Sequence, residues 1–469
     1  MRPVTLLSTS LVLALAAACG TVGEDYVEPE FESAEMTEWN GRLDGVLTAG
    51  DLDPEVLASW WTTLGDPELD ALVARAATAN LDLRTAGAQL RAARAQRGIG
   101  EAAQGPVAGA RAGASTTEVD AGSSELYSAG LDASWELDLF GGIERGIEAA
   151  QADLEAAEEA RRDVLVSVLA EVALNYVELR TLQRRIELVE TNLGLQEEGL
   201  VIVRAKYDAG AVTRLDLDRT IASLEGVRAL VPSLRQQEDQ VKNRLAVLLG
   251  QTPGALEEEL RDYRPLALPG LEVAVGVPAE VLRRRPDVRR SERQLAAETA
   301  RVGVAIADLY PKLSLTGTVG LESGATSSLF ESAARLFTLG SRLQWNLFDR
   351  GRTRQQIEIQ NARQEEALIG YERSILLALE DVQNAVTAFT QEQIRHRSLV
   401  TAEESATRAA ALAQSRYASG DTDYLAVIDA DRARLAAQDD LALSEGTILA
   451  DLVRLYKALG GGWTPEDPR

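Results

Sequence analysis

The sequence predicts an α+β membrane protein in which a long antiparallel α-helical barrel is continuous with a transmembrane β-barrel. Three observations predict this fold. The 469 residues contain two related units, each unit has segments that alternate like β-strands, and long heptad-patterned segments follow them. The composition agrees, because 45% of the residues are hydrophobic but only 5% are aromatic, as in long helices that pack through small side chains.

The N-terminus has the form of a bacterial export signal. Arg2 supplies a positive charge, residues 6–18 form a short apolar run that ends in three alanines, and Cys19 follows directly. This run is too short to span a membrane as a helix, so we expect residues 1–18 to be a removed signal peptide. The run resembles a lipobox, whose cysteine becomes acylated, although Ala16 stands where that pattern usually has leucine. The alternative is an ordinary cleavage site beside a chance cysteine.

The chain repeats itself after about 200 residues. Segment 206–210 reads Lys-Tyr-Asp-Ala-Gly and matches segment 416–420, Arg-Tyr-Ala-Ser-Gly, at an offset of 210. The same offset relates Trp135 to Trp345. A period of this length is far too long for a solenoid and therefore indicates a tandem duplication of a whole unit.

Each unit contains segments in which apolar and polar residues alternate with the period of a strand. In residues 127–139 the odd-numbered positions are apolar, whereas Asp132 and Glu136 belong to the opposite face. We expect β-hairpins over 107–140 and 312–348. An apolar face opposite a charged face suits a barrel with lipid outside and water inside. A soluble sheet covered on one side is the alternative, but strands of about 10 to 13 residues are long for it.

The segments after the hairpins predict very long helices. Residues 143–210 contain no proline and keep a heptad spacing of apolar residues, and residues 368–389 keep the same spacing in the second unit. About 68 helical residues would span on the order of 100 Å. We expect long helices over 143–250 and 352–460. A rod-like coiled coil would explain these helices but neither the strands nor the export signal.

These elements divide the chain into consecutive parts. The predicted parts are the signal peptide (1–18), a lipidated segment that contributes to an equatorial region (19–65), the first repeat (66–250), an equatorial linker (251–285), the second repeat (286–460) and a C-terminal tail (461–469).

Four strands per chain cannot close a barrel, and open sheet edges are not tolerated in lipid. Two copies would give eight strands, whose interior is filled by side chains, whereas three copies would give twelve strands and space for a water-filled lumen. The chain therefore predicts an oligomer, and the strand count favours three copies.

The composition argues against enzymes and nucleic-acid-binding proteins. A net charge of −25 disfavours binding to nucleic acid. The only histidine, His396, lies between two arginines on a charged helical stretch, and neither a phosphate-binding loop nor a paired-histidine metal motif occurs. We expect no catalytic residue, no metal and no cofactor other than a covalent lipid on Cys19.

Several motifs occur in a fixed order along the chain. They are Trp60-Trp61 with Asp66-Pro67, Arg285-Pro286-Asp287, the matched segments Tyr207 to Gly210 and Tyr417 to Gly420, and the C-terminal run from Tyr456 to Trp463. Together they resemble the TolC-type outer-membrane efflux family, specifically its OprM-like lipoprotein branch, over essentially the whole mature chain. The resemblance implies a homotrimer with a twelve-stranded outer-membrane barrel and a helical tunnel that extends into the periplasm.

The resemblance also implies a function. The chain would be the outer-membrane exit duct of a tripartite efflux pump, with a periplasmic adaptor (membrane fusion) protein and an inner-membrane efflux pump as partners. The duct would conduct drugs or other small toxic molecules without performing chemistry. Two alternatives remain, namely a duct for ATP-driven secretion of proteins or peptides and a non-conducting periplasmic coiled-coil tether.

Finally, the resemblance places a gate and an adaptor-docking surface at the two helical turns. By motif register the apolar ring of the gate falls on Leu425 and its acidic ring on Asp429, with Asp216 at the acidic position of the first turn. Some family members carry a second acid where this chain has Ala426. The residues expected to dock the adaptor are Tyr207, Gly210, Val212, Thr213, Tyr417 and Gly420. Each of these side chains could instead only cap a turn or pack within the wall.

Overall fold

The computed structural model describes residues 20–29, 31, 47–48, 53–119, 122–266, 273–276 and 278–464. The predicted signal peptide and Cys19 lie outside these residues. The chain divides into two compact units. The sheet unit comprises residues 1–30, 88–159 and 287–374, and the turn unit comprises residues 31–87, 160–286 and 375–469.

The sheet unit contains four long antiparallel strands, as the sequence predicts. In chain order the strands of the protein are β1 (Leu47–Thr48), β2 (Val107–Val119), β3 (Gly122–Leu137), β4 (Val273–Ala274), β5 (Lys312–Ser323) and β6 (Arg335–Gln344). The sheet has the order β2-β3-β5-β6, and every neighbouring pair in it is antiparallel. In the turn unit, β1 and β4 form a short parallel pair.

The two faces of the four-stranded sheet differ as the alternation predicts. One face exposes large apolar side chains, among them Leu131, Val319, Phe337, Leu339 and Leu343. On the other face Asp132 pairs with Arg111 at 3.2 Å and accepts a hydrogen bond from the Thr318 hydroxyl at 2.8 Å. A continuous exposed apolar face on a sheet marks a surface that contacts lipid or another protein.

The helices are long and carry one break that the spacing argument did not predict. In chain order they are α1 (Pro54–Ala58), α2 (Pro67–Ala79), α3 (Leu81–Ala102), α4 (Gly142–Asp208), α5 (Arg214–Arg228), α6 (Leu230–Leu248), α7 (Pro278–Arg284), α8 (Pro286–Ala307), α9 (Arg352–Ser419) and α10 (Tyr424–Ala458). The chain breaks between α5 and α6, whereas α10 runs unbroken for 35 residues. Pro232 lies in the first turn of α6 and has no N–H to donate to the carbonyl of Arg228, which explains the break.

Three of the sequence motifs meet in the core of the turn unit. The ring of Trp60, which is 1% exposed, stacks on Tyr456 with ring centroids 5.6 Å apart. The Arg285 guanidinium donates to the carbonyl of Ala458 at 3.1 Å and pairs with Asp381 at 2.9 Å. Because Arg285 thereby satisfies a carbonyl at the end of α10, these motifs stabilise the fold of the turn unit.

Charge pairs join α4 and α8 within the sheet unit. The pairs are Asp153 with Arg301, Glu155 with Arg293 and Glu159 with Arg289. Within the described parts of the chain, no helix is long and apolar enough to cross a membrane.

Candidate functional site: the two helical turns

The first turn, residues 206–217, ends α4 with a left-handed glycine. Gly210 has a φ of +73°, a conformation that side chains with a Cβ rarely adopt. Its N–H donates to the carbonyl of Tyr207 at 2.9 Å, and the N–H of Ala211 donates to the carbonyl of Lys206 at 2.8 Å. These are the two hydrogen bonds of a Schellman motif, which reverses the chain while satisfying the last carbonyls of the helix.

The second turn, residues 416–427, ends α9 in the same way. Gly420 has a φ of +84°, and its N–H donates to the carbonyl of Tyr417 at 3.2 Å. The N–H of Asp421 donates to the carbonyl of Arg416 at 2.8 Å. Both glycines therefore adopt a positive φ, and both copies of the repeat reverse the chain with the same backbone geometry.

The helices that follow the turns begin differently. In the first turn, Thr213 and Asp216 form a capping box, in which the Asp216 carboxylate accepts from the backbone N–H of Thr213 at 2.9 Å and from its hydroxyl at 2.7 Å. These hydrogen bonds lower the pKa of Asp216. In the second turn Asp423 is the N-cap and accepts from the N–H of Ala426 at 3.2 Å. Ala426 has no side chain that could return this hydrogen bond.

The interior of the second turn is aromatic. The rings of Tyr417 and Tyr424 lie 4.9 Å apart, and the Lys206 ammonium lies 3.8 Å above the Tyr417 ring. Tyr424 is half-buried against Gly199 of α4, where an added Cβ would lie 2.1 Å from the tyrosine Oη. Burial and the nearby carboxylate of Asp431 raise the pKa of Tyr424 to about 12.

The first turn has a polar pair at the matching positions. Tyr207 and Arg214 correspond to Tyr417 and Tyr424 at the offset of 210. The Arg214 guanidinium pairs with Asp218 at 2.9 Å, and hydrogen bonds to Asp218 and to the Tyr207 hydroxyl raise its pKa. Sequence reasoning did not select Tyr424, Gly199 or Lys206. The seven-residue spacing of Tyr417 and Tyr424 across a glycine turn was the available signal.

Leu425 and Asp429 lie four residues apart on α10 and therefore share one face of the helix. Leu425 is half-buried and Asp429 is exposed, while Val427 and Ile428 between them are buried. Asp216 lies on a different helix, α5, and its carboxylate is engaged by Thr213.

The residues expected to dock an adaptor all lie in the two turns. Tyr207, Val212 and Tyr417 are half-buried, and Gly210, Thr213 and Gly420 are exposed. The tyrosine rings thus pack partly within the helical wall, as the alternative interpretation allows.

One buried carboxyl belongs to the second turn's helix. Asp431 pairs with Arg434 at 3.2 Å, and burial raises its pKa although that arginine opposes the shift. Among the residues that the structure describes, no group of three or more histidine, cysteine, aspartate or glutamate side chains is arranged to hold a metal ion.

Comparison with known proteins adds an independent line of evidence. The family described as "Outer membrane efflux protein" matches residues 72–251 and 277–461. The chain is 33% identical to the pyoverdine export outer membrane protein OpmQ of Pseudomonas aeruginosa, over 99% of this chain and 98% of that one. It is 30% identical to the toluene efflux pump outer membrane protein TtgF of Pseudomonas putida, over 97% and 96%. The structure of the outer-membrane channel OprN superposes with a TM-score of 0.88 and 38% identity, covering 95% of this chain and 100% of that chain.

Proposed function

The chain belongs to the outer membrane efflux protein family, and from this membership we propose that three copies form one lipid-anchored exit duct of a tripartite efflux pump. The chain is an outer-membrane efflux channel with long helices and four antiparallel strands, and it is not an enzyme. The number of copies, the lipid and the adaptor are the proposed parts.

The observation that carries the trimer is the sheet itself. In the described part of the chain, β2 and β6 are the two edges of an antiparallel sheet whose apolar face is exposed. Because β2 and β6 run in opposite directions, β6 of one copy can pair with β2 of the next and continue the antiparallel order. Such pairing removes every open edge, and three copies give a barrel of twelve strands with space for a lumen.

The proposed gate is formed by Leu425 and Asp429 of three copies. Three leucines around one axis would constrict the pore by packing, and three carboxylates would attract cations and repel anions. Asp216 would add a second acidic position. Its effect is expected to be smaller, because Thr213 already donates two hydrogen bonds to its carboxylate.

The proposed adaptor site is formed by the two turns together. A periplasmic adaptor protein would contact Tyr207, Gly210, Val212, Thr213, Tyr417 and Gly420. The matching backbone of the two turns would offer the adaptor two similar surfaces on each copy, so that a trimer would present six.

The proposed cargo is a small molecule chosen by the inner-membrane pump. Relatives of similar identity are named for pyoverdine export and for toluene efflux, which are chemically unlike. A duct that tolerates both kinds of cargo need not recognise either one.

The function is tested by deleting the gene and measuring susceptibility to drugs, dyes and solvents. We expect a loss of resistance to at least one class of small molecule, restored by the wild-type chain. A deletion that impairs only the secretion of a protein would favour the ATP-driven secretion duct. A purified chain that remains monomeric in detergent and a deletion without any export defect would favour the tether.

A further inference from the structure

Residues 20–29, which we term the strap, pack on the sheet unit without helix or strand and bend at Gly23. The N–H of Val22 donates to the carbonyl of Phe140 at 3.1 Å, just after β3. The hydroxyl of Thr21 donates to Glu144 at 2.7 Å. The strap therefore begins one residue after Cys19 and is attached to the protein within its first three residues.

Arg145 holds the strap through three hydrogen bonds, which come from two of its nitrogen atoms. The arginine side chain is 4% exposed. Its Nε donates to the carbonyl of Val22 at 3.1 Å, and its Nη2 donates to the carbonyl of Gly23 at 3.0 Å and to Asp25 at 2.8 Å. Glu148 accepts from Nη1 at 2.7 Å and so fixes the guanidinium from the other side. A buried arginine that uses its donors on one short segment is a clamp for that segment.

The strap crosses α8 at a point where only glycine fits. Gly23 has a φ of +88°, and a Cβ added to it would lie 2.6 Å from the Cα of Gly303. A Cβ added to Gly303 would lie 2.9 Å from the Cγ of Arg145. Strap, arginine and helix backbone are therefore stacked in direct contact.

A second attachment lies three residues farther along the strap. The Tyr26 ring packs against Ala152, Ala296 and Ala297, and its hydroxyl donates to Glu292 at 2.7 Å. Burial and the hydrogen bond to Glu292 raise the pKa of Tyr26. The strap is thus fixed at both the arginine and the tyrosine.

The attachment point lies at a group of exposed and half-buried aromatic residues at the helix-proximal end of the sheet, which we term the aromatic belt. Its members are Trp135, Phe140, Tyr310, Trp345 and Phe348. Trp135 and Trp345 are 38% and 53% exposed, and their indole N–H groups donate to the carbonyls of Gln104 and Leu309 at 2.8 and 2.9 Å. Tryptophan and tyrosine with this combination of exposure and hydrogen bonding are typical of the membrane–water interface.

We propose that Arg145 clamps the strap so that an acyl chain on Cys19 and the aromatic belt meet the same membrane leaflet at the same level. Val22 is the third residue after Cys19, which limits the distance between their Cα atoms to about 11 Å. Because of the clamp, the segment that links the lipid to the protein is held in one position and does not move freely. The acyl chain in this proposal rests on the proposed lipidation of Cys19, whereas the clamp does not.

The clamp is tested by cutting the strap with a glutamate-specific protease, with Glu24 and Glu28 as the cleavage sites. In the full-length protein in detergent, we expect Arg145→Ala to speed cleavage at these sites at least about 10-fold, because cleavage of a locally opened segment follows its open population. Arg301→Ala is the matched control, since Arg301 also joins α4 to α8 through Asp153 but makes no hydrogen bond to the strap.

A second pair of variants lies in the strap itself and leaves the sequences of the helices unchanged. Gly23→Ala should speed cleavage as Arg145→Ala does, whereas Val27→Ala should not, because Val27 is 79% exposed. Arg145→Lys should fail to restore protection, since one ammonium cannot replace a guanidinium that binds several acceptors in fixed directions. Equal cleavage rates in wild type, Arg145→Ala and Gly23→Ala would overturn the clamp.

The lipid part of the proposal is measured separately. Cys19→Ser should leave the strap protected, because protein contacts hold it, and mass spectrometry of the wild type reports whether Cys19 is acylated. A nitroxide attached at Gly20→Cys should lie at the depth of one attached at Phe348→Cys in lipid vesicles, and Arg145→Ala should abolish this agreement. Protection without acylation would refute the anchor and keep the clamp, whereas labels at different depths in the wild type would refute the shared level.

Discussion

The two helical turns have the same backbone and different side chains. Gly210 and Gly420 end their helices with the same pair of hydrogen bonds. The first turn is followed by the capping box of Thr213 and Asp216. The second turn instead contains the aromatic pair of Tyr417 and Tyr424. The duplicated unit thus keeps its chain reversal in both copies, and the second copy places Leu425 and Asp429 on the helix that follows.

The same contrast continues beyond the turns. The return helix of the first repeat is split into α5 and α6 near Pro232, and the return helix of the second repeat, α10, is continuous. Ala442 occupies the position that matches Pro232.

The largest expected effect comes from placing a proline in the continuous return helix, compared with removing the proline from the split one. Ala442→Pro should destabilise the protein by about 3 kcal/mol or more, because proline removes an intrahelical hydrogen bond and clashes with the preceding turn. Pro232→Ala should change the stability by no more than about 1 kcal/mol, because alanine fits a helix start without strain. Thermal unfolding in detergent measures both variants. Similar losses for the two variants would show that proline does not cause the break.

The next effect tests the aromatic interior of the second turn. Gly199→Ala should cost about 1–3 kcal/mol, because the new Cβ would lie 2.1 Å from the Tyr424 Oη and the ring must move. Gly194→Ala on the same helix is the control, since a Cβ there meets no atom within 4 Å, and it should gain up to about 1 kcal/mol of helix stability. Adding Tyr424→Phe to Gly199→Ala should recover most of the loss in the same unfolding assay. No recovery would show that the hydroxyl is not the cause.

A smaller effect separates the two N-caps. Thr213→Ala and Asp423→Ala should each cost about 1 kcal/mol, because each removes an acceptor for an N-terminal N–H. Ala426→Ser should be nearly neutral as a surface control, whereas Asp216→Ala should weaken the first turn by removing its half of the capping box. Hydrogen exchange of residues 206–217 and 416–427 measures each turn separately. If a variant in one turn reduced the hydrogen-exchange protection of the other turn instead, the assignment of the caps would be contradicted.

The smallest effect is an unequal response to acid of the first turn and of the helix that follows the second turn. The pKa of Asp216 is lowered, so its stabilisation is present above the ordinary carboxyl value of 3.8 and is lost only as the pH falls through the lowered pKa. The pKa of Asp431 is raised by burial, so its ionised form destabilises α10 and protonation relieves this as the pH falls through the raised pKa. Hydrogen exchange between pH 7 and pH 4 should therefore show slower opening near Asp431 and no loss at the first turn. Faster opening near Asp431 would contradict this sign.

Local patterns in the sequence predict much of this molecule. The offset of 210 predicts the duplication, the alternation around Asp132 predicts a sheet with two unlike faces, and the glycines at 210 and 420 predict the turns. These features are local because strand and helix periodicity are set by neighbouring residues. The break at Pro232 was visible in the sequence, but heptad spacing alone did not reveal it.

Contacts between distant residues could not be predicted in the same way. Gly199 meets Tyr424, and Arg145 meets Val22, across more than one hundred residues in each case. No periodic pattern in the sequence marks such pairs, because the fold and not the local sequence brings the two residues together. The contact between Thr213 and Asp216 is different, because it spans only three residues and is the turn-capping role that the alternative interpretation of Asp216 allows.

The proposed gate places the constriction of a passive duct at the second turn. Its most direct test is single-channel recording of the purified protein in planar bilayers, with divalent cations added on the periplasmic side. Asp429→Ala should weaken the block by cations by at least about 10-fold, because the acidic ring is removed, while Asp216→Ala should weaken it less. A protein that never conducts, or a cation block that is unchanged in Asp429→Ala, would contradict the account.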